Sequence, residues 1–199
     1  MNNKERMPLW LAVGITVVVS LPFGLWFGHY NLPLWVAFVV WAEYFALGAT
    51  PAALKTIVPA YILGVLGAVL ICTAAVLLTN VMPNAKVVSP GDLPVFITFF
   101  IGFCVLIYAM KFLPVTQTGT LPFFNGISMA LGTYFTAQFV APFGTNVAPA
   151  LLPLVTGLGA ILAGLLGAFL GWFNVAIMAP RKSAAAQPSP SHDQEATAR

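Results

Sequence analysis

Hydrophobic residues along the chain form six long runs, separated by short stretches that contain proline, glycine and polar residues. Each run is continuously apolar, which favours helices over the alternating pattern of a membrane β-barrel. A helix needs roughly 20 apolar residues to cross the hydrocarbon core of a bilayer. The pattern predicts an all-α integral membrane protein with six transmembrane helices, at residues 9–27, 32–48, 56–79, 93–110, 122–141 and 151–178.

Composition excludes the main alternatives to a membrane protein. Of the 199 residues, 60% are hydrophobic and 7% are charged, whereas a soluble domain carries roughly a quarter charged residues. The 16 Phe, 5 Trp and 5 Tyr residues provide too much apolar surface for a disordered chain. The net charge of +3 comes from residues near helix ends and indicates membrane topology rather than nucleic-acid binding. The expected partner is therefore the lipid bilayer.

Lysine and arginine residues are distributed unequally between the two sides of the predicted helices. When the amino terminus is placed in the cytoplasm, the opposite side holds only Lys86, beside Asp92. Positive residues in short loops favour the cytoplasmic side. We therefore expect both termini to be cytoplasmic, on the same side as Lys4, Arg6, Lys55, Lys111, Arg181 and Lys182.

Three parts of the chain differ in composition. Residues 1–7 are expected to form a short cytoplasmic segment, and residues 8–179 a membrane domain of six helices. Residues 180–199 are rich in Ser, Ala, Pro and Gln, which cannot build a core, so that a disordered cytoplasmic tail is expected there.

Two parts of the membrane domain resemble each other, about residues 8–79 and 93–178. In each of these two parts, a Leu-Pro dipeptide and an aromatic residue are followed by Tyr-Phe and then by a glycine-rich helix. Matching positions in the two parts are 89 to about 93 residues apart. Three helices in each copy force opposite orientations in the membrane, which predicts a 3+3 inverted repeat. The alternative is a chance likeness between apolar sequences. Inverted repeats are common in transporters, where the site lies between the copies.

The segment LPLW at 32–35, followed by WAEYFA at 41–46, resembles the YcdZ-like family of small bacterial inner-membrane proteins, a family of unknown function. The resemblance covers residues 9–172 and implies a bacterial inner-membrane location without an established activity. The segment TLPFFN at 120–125 is similar to the Leu-Pro-Phe segments of urea transporters, which also occur in two inverted copies. This chain is much shorter, and Trp35 stands where the first copy of such a transporter has Phe.

Glu43 is the only acidic residue inside a predicted span. An unpaired carboxylate near the bilayer centre costs several kcal/mol, so that Glu43 is expected to be protonated, paired or in contact with water. One interpretation is a proton-coupling or solute-contacting carboxyl, and the other is an interfacial residue near Lys55. The repeat aligns Glu43 with Thr133, so the acid is not present in both copies.

Other polar and aromatic residues occur on the second helix of each copy. Tyr44 and Tyr134 are at matched positions, and Asn125 begins a row of polar residues on one face of its helix. Such a face suits either a water-filled path or hydrogen bonds between helices. The residues expected to line a solute pathway are Glu43, Tyr44, Asn125, Thr133, Tyr134 and Gln138.

Prolines and glycines predict helix starts and helix contacts. Pro33 and Pro122 suit the first turn of a helix, where the missing N–H has no helical partner. Small residues permit close packing in membranes, and we expect them to hold the third helix of each copy against its mate. The glycines concerned are Gly64, Gly67, Gly164, Gly167 and Gly171.

Enzyme motifs are missing from the sequence. It contains no HExxH, GxSxG or Walker motif and no paired acids within a span. His29 is the only histidine of the membrane domain, and a single imidazole does not hold a metal. We therefore expect no enzyme activity, no metal and no cofactor.

These patterns favour a channel or transporter for a small polar solute, with a pathway lined by the second and fifth of the six predicted helices. The scarcity of titratable groups favours a neutral solute or a passive channel. The alternative is a non-transporting membrane scaffold or accessory subunit that packs through its small-residue faces. The sequence allows a homo-oligomer without determining its size, and it does not identify the solute.

Overall fold

The computed structural model describes residues 6–141 and 147–178, and in these residues every regular element is helical. This confirms the all-α prediction for the described part of the chain. The expected tail at 180–199 lies outside the described residues. The α-helices are α1 Leu9–Leu25, α2 Leu34–Ala46, α3 Leu54–Val81, α4 Asp92–Ala109, α5 Pro114–Thr118, α6 Thr120–Phe135 and α7 Leu152–Met178.

Within the described residues, three helical segments are long and apolar enough to cross a membrane. They are Pro51–Val81, Asp92–Phe112 and Pro149–Met178, and each includes a short 3-10 turn next to α3, α4 or α7. The other main helices are shorter: α1 has 17 residues, α2 has 13 and α6 has 16. At about 1.5 Å per residue, α2 extends roughly 20 Å, whereas the hydrocarbon core is about 30 Å thick.

The helices α2 and α6 end in the same way. Gly48 and Ala137 have positive φ values of 93° and 51°, and this left-handed conformation stops the helix. The closing hydrogen bonds of α6 lie 89 residues after those of α2. The donor–acceptor pairs are Leu47 N to Glu43 O, Gly48 N to Phe45 O and Ala49 N to Tyr44 O, and then Thr136 N to Gly132 O, Ala137 N to Tyr134 O and Gln138 N to Thr133 O.

This spacing of 89 equals that between the two Leu-Pro dipeptides and differs by one residue from that between the two Tyr-Phe dipeptides. It places Tyr44 at the position of Thr133, and Glu43 at the position of Gly132. Tyr44 and Tyr134 therefore lie at positions that differ by one residue relative to the ends of their helices, although the two Tyr-Phe dipeptides are identical.

The two short helices pack against the long helices of the opposite half of the chain. α6 lies mainly along α3, and α2 lies mainly along α7. Gly64 of α3 faces the Phe123 backbone, and Gly167 of α7 faces the Ala37 backbone. A Cβ at either glycine would overlap a carbonyl oxygen, so that glycine is what allows the two backbones to touch.

Helix directions follow from the order of these contacts. Along α2 and α7, Ala37 faces Gly167 and Tyr44 faces Gly171, so that these two helices run parallel. For α6 and α3, Gly119 faces Ala60, and Tyr134 lies beside Cys72, which again indicates parallel helices. Tyr61 faces Gly164 and Val69 faces Gly157, so that α3 and α7 run antiparallel.

The helices α1 and α4 lie outside this central group. α1 packs mainly on α7, and α4 packs mainly on α3. Pro94 is the only buried residue of α4, and the outer face of this helix is exposed, with Phe96 at 60% and Phe100 at 73%, which suits contact with lipid acyl chains. The first and last described segments meet, because Arg6 N donates to Met178 O at 3.2 Å.

The loop between α3 and α4 is organised by one carboxylate. Asp92 accepts hydrogen bonds from the backbone N–H groups of Val87, Val88 and Ser89, at 2.5, 2.7 and 2.6 Å. We expect Asp92→Ala to speed amide hydrogen exchange at these three residues, measured by mass spectrometry in nanodiscs, because the donors lose their acceptor. Lys86→Ala is the control in the same loop, and unchanged exchange in Asp92→Ala would contradict this role.

Candidate functional site

Glu43 and Asn125 form a buried polar pair between α2 and α6. The Asn125 Nδ2 group donates a hydrogen bond to Glu43 Oε1. Glu43 is 2% exposed, and its second oxygen, Oε2, has no hydrogen-bond partner among the described residues. Lys55 is exposed and does not bond the carboxyl. The pair therefore joins the first half of the chain to the second half through an amide and a carboxyl.

Two tyrosines lie in the same buried region but bond differently. Tyr44 is fully buried, and its hydroxyl has no hydrogen-bond partner among the described residues. Tyr61 of α3 is 2% exposed, and its hydroxyl donates to Ala160 O of α7 at 3.0 Å. Among the described residues, the buried polar atoms without a hydrogen-bond partner are Glu43 Oε2, the Tyr44 hydroxyl, Trp41 Nε1 and Asn174 Oδ1.

Gln138 forms a second link between the halves, at the other end of α2. Trp35 Nε1 donates to Gln138 Oε1 at 2.7 Å, and the Trp35 ring also lies against Gly132. Because α2 and α6 run antiparallel, the Trp35–Gln138 bond and the Glu43–Asn125 pair close opposite ends of their interface. The direction of α2 relative to α6 follows from their parallel partners, α7 and α3.

The structure does not gather the other expected pathway residues around one cavity. The Thr133 hydroxyl is buried and donates to Met129 O of its own helix at 2.7 Å. Tyr134 is partly buried and lines a cavity of about 350 Å³ with Cys72, Thr79 and Phe99. Tyr44 does not line this cavity. Four of the six pathway residues therefore lie in a buried pair, on a cavity wall and in an outer contact, whereas Tyr44 and Thr133 are buried outside all three.

Two cavities open at the end of the bundle where α6 finishes. The first is the Tyr134 cavity, which reaches from Asn80 at the end of α3 to Tyr134 of α6. The second has a volume of about 400 Å³ and is lined by Pro33, Trp35 and Gln138 among others. Glu43 and Asn125 line neither cavity. The buried pair is thus separated from both openings by packed side chains.

The prolines and glycines singled out in the sequence lie at helix ends and contacts. Pro33 is the N-cap of α2, and Pro122 lies in the first turn of α6, which begins two residues earlier than expected. Of the five glycines, only Gly164 contacts the third helix of the other half. The others face α6, α4 and α2, through Gly64 with Phe123, Gly67 with Leu106, Gly167 with Ala37 and Gly171 with Tyr44.

Several residues of the site were not identified from the sequence. Trp35 was assigned only as part of a motif, and Tyr61 was not singled out although it is a buried aromatic with a polar tip. Asn174 of α7 donates to Thr16 Oγ1 of α1 at 2.9 Å and is fully buried. A lone asparagine in an apolar helix is the signal that would have found this contact, since buried amides need partners.

The described residues contain no group of three histidine, cysteine or acidic side chains that could hold a metal ion. Cys72 and Cys104 are free thiols on different helices. The chain was compared with protein-family models, curated proteins and solved structures, and none of these comparisons gives a match.

Proposed function

We propose that this chain is a bacterial inner-membrane transporter or channel for a small polar solute, built as a 3+3 inverted repeat with both termini in the cytoplasm. The Glu43–Asn125 pair carries the proposal. A buried carboxyl is expensive within a membrane and is retained mostly where a solute, an ion or a proton passes. Here it lies between two helices that occupy the same place in each half.

The helix arrangement supports the repeat. A two-fold axis in the membrane plane would exchange α2 with α6, α3 with α7 and α1 with α4. It would convert the α3–α6 packing into the α7–α2 packing, and both pairs are parallel and in close glycine contact. The shared helix-end hydrogen bonds at a spacing of 89 residues agree with the same operation. The contact between Arg6 and Met178 supports two termini on one side.

The α2–α6 interface supports a gated pathway rather than a permanently open pore. It is closed by Trp35 and Gln138 at one end and by Glu43 and Asn125 at the other. α2 packs mainly on α7, and α6 packs mainly on α3. We propose that these two helix pairs rock against each other along the α3–α7 contact and open the two ends of the α2–α6 interface one at a time. Rocking of one helix bundle against another is how inverted-repeat transporters expose a central site to each side in turn.

A scaffold that packs through small residues remains the second candidate. The glycine contacts within the chain support it to the extent that similar contacts could form with a partner. It does not account for the buried carboxyl or for the unpaired Tyr44 hydroxyl. Stoichiometric copurification of another membrane protein, together with no solute permeation, would favour the scaffold.

Permeation tests the proposal. The purified full chain in liposomes is expected to speed the entry of at least one of urea, short amides and small carboxylates above the rate for empty liposomes, measured by light scattering. Tyr134→Ala is expected to lower this rate several-fold, because Tyr134 lines the cavity of about 350 Å³. Tyr108→Ala, on the exposed face of α4, is the matched control. Equal rates in empty and loaded liposomes would contradict transport of these solutes.

A further inference from the structure

We propose that the Glu43 carboxyl is a proton-binding site: it carries a proton on Oε2 in the closed arrangement and releases it when α2 and α6 separate. The site itself follows from the geometry of Glu43. The coupling of proton release to solute movement rests on the proposed function. This differs from the passive channel that the scarcity of titratable groups favours, because one well-placed carboxyl is sufficient for coupling.

The hydrogen bonds of Glu43 fit a neutral carboxyl. Oε1 accepts from Asn125, as the carbonyl oxygen of a carboxylic acid does, and Oε2 has no partner among the described residues. An ionised carboxylate would leave a charged oxygen buried and unpaired, which costs several kcal/mol more than burying a neutral group. The proton therefore belongs on Oε2.

No described basic group neutralises Glu43. The helices packed against α2 are α1, α3, α6 and α7, and α1 and α7 carry no titratable side chain. α6 contributes Tyr134, and α3 contributes Lys55, Tyr61 and Cys72. Lys55 is exposed. The Tyr61 hydroxyl donates a hydrogen bond to Ala160 O and not to Glu43. On α2 itself, Tyr44 is the only other titratable group, and a tyrosine side chain carries no positive charge.

The position of the pair explains when the proton would leave. Glu43 lies on α2 and Asn125 on α6. α2 packs more extensively on α7, and α6 on α3, than the two short helices pack on each other. When the two short helices separate, Oε1 loses the Asn125 amide and both oxygens gain access to water. A solvated carboxyl of this type ionises at neutral pH. Each opening would then pass one proton from Oε2 to water on the side that opens, and closing would require its return.

Infrared spectroscopy of the full chain in liposomes tests the site directly. At neutral pH the wild type is expected to show the C=O stretching band of a protonated carboxyl, since the acids that contact water are ionised. The band is expected to disappear in Glu43→Gln, whose side-chain oxygen can still accept from Asn125. Asp92→Asn, at the exposed loop, is the control and should leave the band unchanged. A wild-type spectrum without the band would overturn the proposal.

A second measurement separates this proposal from the proposed function. With a pH-sensitive dye inside the liposomes, solute entry is expected to change the internal pH in the wild type, and this change should be lost in Glu43→Gln. If the band is present but no solute crosses, the proton site stands and the transport proposal fails. If solute crosses without the band and without a pH change, transport stands and the proton site is wrong.

Discussion

Gly64→Val and Gly167→Val are expected to prevent the two halves from packing together. A Cβ at Gly64 would overlap the Phe123 carbonyl oxygen, and one at Gly167 would overlap the Ala37 carbonyl oxygen. A backbone atom cannot rotate away as a side chain can, so that α6 or α2 must shift along its whole length. Overpacking of this kind lowers the free energy of unfolding by about 1–3 kcal/mol even where side chains can adjust. For these two variants we expect a loss of stability at or above the upper end of this range.

Thermal unfolding in detergent, followed by circular dichroism and size-exclusion chromatography, measures this effect. Gly14→Val is the matched control, because Gly14 lies in the exposed part of α1 and a Cβ there would contact nothing within 4 Å. The account predicts that Gly14→Val behaves like the wild type while the other two variants unfold at clearly lower temperatures. Equal stability of all three variants would show that the α3–α6 and α2–α7 contacts are less close than described.

Asn125→Leu is expected to have the largest effect on transport. The substitution removes the amide that donates to Glu43 and leaves both carboxyl oxygens unpaired. Loss of a buried partner costs about 1–3 kcal/mol, and more when the remaining group is charged. Because this pair closes one end of the α2–α6 interface, we expect at least a tenfold change in permeation rate, which corresponds to about 1.4 kcal/mol.

The double variant Glu43→Leu with Asn125→Leu distinguishes the pair from its individual members. Stability is expected to recover in the double variant, because an apolar pair leaves no unsatisfied buried group. Transport should not recover, because the polar site is gone. Ser128→Ala, on the exposed side of α6, is the control, since its hydroxyl bonds only Phe124 O of its own helix. Full transport by the double variant would contradict a role for the pair.

The apolar runs located the main helices because hydropathy averages over many residues and tolerates small errors at the ends. The ends themselves depend on backbone geometry. α2 stops at Ala46 rather than at residue 48, because Gly48 adopts a positive φ. α6 begins at Thr120, before the apolar run at 122, because its first turn follows directly on Gly119. Neither position changes the hydropathy profile, so that neither could be read from it.

The contacts of the candidate site could not be predicted to the same extent. Glu43 and Asn125 were both singled out, since polar residues in apolar helices are conspicuous, but nothing in their local sequences pairs them across 82 positions. The local sequences around Gly64 and Gly167 likewise do not indicate which helix each glycine contacts. Their helices are apolar on every face, so that no amphipathic stripe indicates which side meets which partner. The expectation that the glycines hold α3 against α7 agrees with the contact of Gly164, whereas Gly64 and Gly167 contact α6 and α2 instead.

The side of the membrane on which each loop lies is the most direct test of the inverted repeat. Single cysteines at Lys55, Lys86 and Lys111, in a background with Cys72→Ala and Cys104→Ala, can be labelled from either side with an impermeant maleimide, since all three lysines are exposed. The account predicts that positions 55 and 111 react only from the cytoplasm and position 86 only from outside. Reaction of positions 55 and 111 from opposite sides, or of 55 and 86 from the same side, would contradict it.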